Sequence, residues 1–101
     1  MEIELTGERA SERAWIVEAE YADLTFTFRK KEGVDLAGFI VYKQYGILEF
    51  EQFMTIGIGE VSGNSYTIKD SGIEKKPVYH YKVMAVDSTG SILGISGKVK
   101  I

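Results

Sequence analysis

The sequence predicts an all-β fold, an antiparallel sandwich of about seven short strands, and three observations point there. Eleven glycines stand against a single proline, and turn-like clusters separate short apolar runs throughout the chain. Within several of those runs apolar side chains recur at every second position, the spacing that puts them on one face of a strand. The 101 residues are 45% hydrophobic and 12% aromatic and hold no cysteine. A chain of that size and composition buries roughly 60–70% of its unfolded surface in one domain, with no need of a metal or disulfide.

Taken in order, residues 2–6 open with a strand pattern. Residues 8–21 satisfy two templates in part: Glu8-Arg9-Ala10-Ser11-Glu12-Arg13-Ala14 are good helix formers, whereas Trp15, Val17, Ala19 and Tyr21 alternate as a strand does. The alternation predicts a strand over about residues 13–20, with residues 1–21 the least determined segment. Leu24, Phe26 and Phe28 then alternate with Thr25 and Thr27, three apolar side chains on one face and two hydroxyls on the other. Further strands are expected at residues 37–43, 49–56 and 65–69. Tyr79, Tyr81, Val83 and Ala85 form an inward set opposite His80, Lys82, Met84 and Val86. Leu93, Ile95, Val99 and Ile101 alternate with Gly94, Ser96, Lys98 and Lys100, and the lysine pair suits an edge strand. The separators Lys31-Glu32-Gly33, Tyr45-Gly46, Ser62-Gly63-Asn64 and Asp87-Ser88-Thr89-Gly90 are turn chemistry. No internal repeat or low-complexity tract suggests a second domain.

Charge and motif spacing narrow the function. Twelve basic and fifteen acidic residues give a net charge of −3, and no basic cluster exceeds Arg29-Lys30-Lys31, so nucleic acid is not an expected partner. Apolar runs such as Phe39-Ile40-Val41-Tyr42 fall far short of the roughly 20 residues of a membrane helix, and no membrane insertion is expected. The one histidine, His80, falls on an outward strand position, where it lacks the sequence setting of a catalytic base. Asp70, Glu74 and Asp87 show no calcium-loop spacing and read as turn and strand-end residues. Gly57-Ile58-Gly59-Glu60-Val61-Ser62-Gly63 has three residues rather than two before its last glycine and no helix pattern after it, so it reads as a loop and not a dinucleotide site. No catalytic residue, cofactor or metal is expected, and the chain reads as a non-enzyme.

One longer stretch is more specific. Ile73-Glu74-Lys75-Lys76-Pro77-Val78-Tyr79-His80-Tyr81-Lys82-Val83-Met84-Ala85-Val86-Asp87-Ser88-Thr89-Gly90 resembles the E–F corner, strand F and F–G turn of fibronectin type III domains, with Lys75 and Lys76 in place of the usual Pro-Gly. Leu36-Ala37-Gly38-Phe39-Ile40-Val41-Tyr42-Lys43 is similar to strand C of that family, and Phe28 stands where strand B usually carries a buried tryptophan. The resemblance implies an immunoglobulin-like sandwich in which Tyr79 is a tyrosine corner, its ring buried and its hydroxyl bonded to backbone a few residues upstream.

It further implies a non-catalytic structural spacer or protein-interaction module of a larger surface or secreted protein, whose partners are neighbouring domains of the same polypeptide or another protein. No Arg-Gly-Asp tripeptide supports integrin binding. Strands C and F are neighbours in the family, so Ile40 and Tyr42 on one and Met84 and Val86 on the other share an outer face. These four residues are the candidate interaction surface, with a weak homodimer as one consequence. A specific protein-binding or carbohydrate-binding module is the alternative, the latter using Trp15 and Tyr45 to stack on sugar rings.

Overall fold

A computed structural model describes residues Met1–Ile101. Eight strands follow one another as β1 (Ile3–Ala14), β2 (Val17–Phe28), β3 (Gly38–Tyr45), β4 (Glu51–Gly57), β5 (Ser65–Ile73), β6 (Tyr79–Val86), β7 (Ile92–Ile95) and β8 (Val99–Lys100), with one turn of 3-10 helix at Ile58–Glu60. They make two antiparallel sheets: three strands in the order β1-β2-β5, and five in the order β4-β3-β6-β7 with β8 also beside β6. The fold is an all-β sandwich.

Alternation builds the core. Leu24, Phe26 and Phe28 of β2 face Phe39 and Val41 of β3 and Tyr79, Tyr81, Val83 and Ala85 of β6, and all are buried. Phe39 inserts between two rings of the opposite sheet, its centroid 4.7 Å from Phe26 and 4.8 Å from Phe28. Such tilted aromatic pairs add about 0.5–1.5 kcal/mol each beyond the area they bury. Phe28, half of that clamp, is buried at the inner end of β2.

Two local expectations are corrected. Residues 13–20 are not one strand: Ala14 pairs with Val17, so the chain reverses through a two-residue turn at Trp15 and Ile16. The period of two survives such a turn on both sides, so alternation alone hides the reversal. The usual glycine signal is also missing, because Trp15 itself takes the positive φ of 61°. Helix is excluded throughout residues 8–21, which lie in the β1–β2 hairpin.

The second correction concerns the last strand. Leu93 is an extra residue between the pairs Val86–Ile92 and Ala85–Gly94, a bulge that shifts the phase by one. Leu93 packs against the core while Ile95 turns out to solvent. Gly94 turns inward beneath Met1, where a side chain would collide with the Met1 backbone. Ser96 then bonds Val83 through both its backbone N–H and its hydroxyl, at 2.8 and 2.9 Å, before β8 resumes.

The β1–β2 pairing runs over twelve residue pairs, but β5 accompanies β2 only as far as Glu20 opposite Ile73. Beyond that point the hairpin is a two-stranded arm, tied to β5 by the Lys69 ammonium, which donates to the Glu12 carboxylate at 2.8 Å, and the molecule measures 51 × 28 × 18 Å.

Candidate functional site

The outer face of the five-stranded sheet holds the four candidate residues together. Ile40 lies opposite Met84, Tyr42 opposite Lys82, and Gly38 opposite Val86. All four candidates are half-buried, pointing away from the core. The β7 bulge enlarges the surface, because it sets Ile95 beside Met84 and Ile92 beside Val86, at 53% and 58% exposure. Phe50 joins from the other side: the Lys82 ammonium lies 4.4 Å from its ring centroid and 5.6 Å from that of Tyr42. Sequence reasoning missed Ile95 because unbroken alternation from Leu93 turns it inward. The outer face of the three-stranded sheet is different, carrying Thr6, Thr25, Thr27 and Thr67 among Glu8, Asp23 and Lys69, with the Thr25 and Thr67 hydroxyls 3.4 Å apart.

A groove of about 330 Å³ opens where β4 and the end of β5 leave the sandwich unclosed. Tyr45, Leu48, Phe53 and Tyr79 supply its apolar walls, and Glu49, Glu51 and Glu74 its carboxylates. Beside it lies a buried ionic cluster. Asp70, 4% exposed, accepts from the Lys43 ammonium at 2.6 Å, the Tyr81 hydroxyl at 2.6 Å and the Gly72 N–H at 3.0 Å. Burial pushes the Asp70 carboxyl up, but these three donors outweigh it and hold the group below the ordinary carboxylate range. Burial, and then the Asp70 carboxylate, push the Tyr81 phenol the other way, well above its usual value. Asp70 is therefore a buried member of β5 and not a turn residue. The legible signal was its place two positions after Ile68, on the inward phase of the strand.

Tyr79 is 1% exposed, and its hydroxyl accepts from the Glu74 N–H, five residues upstream, at 2.9 Å. Cations flank its ring, with Arg9 5.8 Å and Lys43 5.0 Å from the centroid. Arg9 also donates to the backbone carbonyls of Glu74 and Pro77, each at 2.7 Å, and to the Glu20 carboxylate at 2.8 Å. It thereby roots the arm on the β5–β6 connection. Tyr45 donates its hydroxyl to Glu74 at 3.1 Å, a bond that raises its phenol above the usual range.

No significant match came from comparison with protein-family models, curated proteins or solved structures.

The remaining candidates are scattered. Trp15 and Tyr45 do not share a sugar platform: Trp15 is six residues beyond Arg9 on a strand, about 20 Å away, whereas Tyr45 and Arg9 both contact Glu74. His80 stands between Gln44 and Lys100 in the ladder, and its Nδ1 makes no hydrogen bond. Asp87 closes its own turn by accepting from Thr89 and Ser91, which holds its carboxyl below the usual range. Gly57–Gly63 forms the 3-10 turn and its exit, with the Glu60 carboxylate accepting from the Gly57 N–H at 2.7 Å. No three His, Cys, Asp or Glu side chains are grouped to hold a metal ion, and no helix is long and apolar enough to cross a membrane.

Proposed function

We propose that this chain is a non-catalytic, fibronectin type III-like module that contacts another polypeptide through the outer face of its five-stranded sheet. It serves as a spacer or interaction domain of a larger surface or secreted protein. One observation carries the reading: the two outer faces differ in kind. One is threonine and charge; the other aligns Ile40, Tyr42, Met84, Val86, Ile92 and Ile95 side by side. Single exposed apolar side chains are ordinary, but a contiguous set of this kind marks a contact surface. The strand order supports the family resemblance, with β1, β2 and β5 in one layer and β4, β3, β6 and β7 in the other.

At high concentration and without its partner, the face contacts other copies of itself weakly. Backbone amide shifts of Ile40, Met84 and Ile95 are expected to move between about 20 µM and 1 mM, those of Thr25 and Thr67 to stay, and Met84→Glu to suppress the movement in a folded chain. Shifts independent of concentration on this face, or a Met84→Glu chain that no longer folds, would remove the reading.

A further inference from the structure

The tip of the β1–β2 arm is built against two rules at once. Trp15, Ile16 and Val17 are 96%, 89% and 63% exposed, three consecutive apolar residues in water. Trp15 also occupies a backbone conformation, φ 61°, that favours glycine and is strained for a bulky side chain. Nothing within the chain rewards this: the tie of the arm to β5 is the Glu12–Lys69 ion pair at 2.8 Å, short of the tip, and the Trp15 and Ile16 side chains beyond it lie in water. One basic residue accompanies it: Arg13, exposed and opposite Glu18 in the ladder, takes part in none of the three ion pairs of the molecule.

The groove at the root of the arm has the complementary character. Tyr45, Leu48 and Phe53 are 43%, 62% and 37% exposed, and its about 330 Å³ is a volume for one large side chain and its neighbour, at the small end of binding pockets. Glu49 and Glu51 form no ion pair and Glu74 accepts only from Tyr45 among side chains, while the one lysine there, Lys43, is held by Asp70. An apolar tip with an unmatched cation thus faces, in kind, an apolar groove with unmatched carboxylates.

We infer that a second copy of this chain fills the groove: Trp15 and Ile16 of one copy insert between Tyr45, Leu48 and Phe53 of the other, and Arg13 meets Glu49 and Glu51. The tip stands about 20 Å from its own groove, too far to fold back onto it along a straight two-stranded ribbon. In two antiparallel arms related by a two-fold axis the same span brings each tip to the other's groove, and the symmetry makes each contact occur twice. Two inserted tryptophans bury about 150–250 Å² apiece, and with Ile16 and the groove surface they cover they make a small interface, so the dimer is expected to be weak. A lipid surface fits less well, because the arm carries Glu8, Glu12, Glu18 and Glu20 against Arg9 and Arg13, and anionic headgroups repel that balance. The contact uses none of the residues of the outer sheet face.

Sedimentation equilibrium on the intact chain from about 5 µM to 1 mM tests it. The native chain is expected to approach twice its 11.3 kDa. Trp15→Gly is expected to weaken dimerisation at least 10-fold while melting no lower than the native chain, because glycine accepts the turn. Ile16→Ser repeats the loss with the Trp15 backbone unchanged. Arg13→Glu weakens the dimer, and mixing it with Glu49→Lys/Glu51→Lys restores a mixed dimer. A native chain that stays monomeric to 1 mM overturns the inference, as does a dimer indifferent to Trp15→Gly or one lost only on Met84→Glu. So does a monomer that sediments with phosphatidylcholine–phosphatidylserine vesicles through Trp15.

Discussion

Asp70 and Trp15 each sit where partition between water and protein interior would not place them, a carboxylate inside and an indole outside. Their surroundings differ. Asp70 has three donors within 3.0 Å, so its anomaly is answered within the chain and the buried charge becomes a fixed point between β5, β3 and β6. Trp15 has no neighbour beyond its own hairpin and holds a φ that disfavours it. An internal anomaly with a full set of partners is structural; an external one with none points to a contact outside the chain.

The largest effect should come from breaking the internal case. Asp70→Asn leaves the Lys43 ammonium without its counter-charge, and a loss of about 3 kcal/mol is expected in chemical denaturation. The pH dependence has a defined sign. Because folding lowers the Asp70 pKa, its contribution is complete above the unfolded value of about 3.9 and disappears as pH falls through the lower folded value. Native stability should therefore drop in acid below about pH 4. The Asp70→Asn chain should show a shallower acid limb, which denaturation midpoints at pH 2–6 would reveal.

Tyr79→Phe comes next. Removing the hydroxyl leaves the Glu74 N–H unpaired at the root of the arm, a loss of about 1 kcal/mol; an unchanged midpoint would show that the Glu74 bond contributes nothing. Trp15→Gly should act in the opposite direction, raising stability by up to about 1 kcal/mol, since it relieves a left-handed conformation at a side chain with no intramolecular contact to lose. A large destabilisation there would mean the tip packs against the chain after all. Smallest is Met84→Glu, within about 0.5 kcal/mol of the native chain, as befits a surface position away from caps and buried pairs.

The body of the sandwich was legible because alternation and turn chemistry agree there: Leu24, Phe26 and Phe28 on β2, and the Tyr79 to Ala85 set on β6, are inward as their spacing requires. Three features were hidden. The hairpin turn lacks glycine or asparagine and preserves the two-residue phase, so residues 8–21 gave no sign of reversal. The bulge at Leu93 is a one-residue insertion that no local propensity marks, and Ile95 changed faces with it. Asp70 reads as a turn or strand-end residue although it continues the inward phase of Ile68, and its partners Lys43 and Tyr81 lie 27 and 11 residues away in sequence, so only the fold brings them together. Of the outer face, the four residues Ile40, Tyr42, Met84 and Val86 followed from strand adjacency, whereas Phe50, Ile92 and Ile95 needed the register.

The contrast between the two outer faces is tested most directly by residue-resolved amide shifts across a dilution series of the native chain. Movement at Ile40, Met84 and Ile95 that leaves Thr25 and Thr67 unmoved, and that is lost in folded Met84→Glu while movement at the arm tip and its groove persists, is the predicted result. Equal movement at Thr25 and Thr67, or none at Met84, would contradict it.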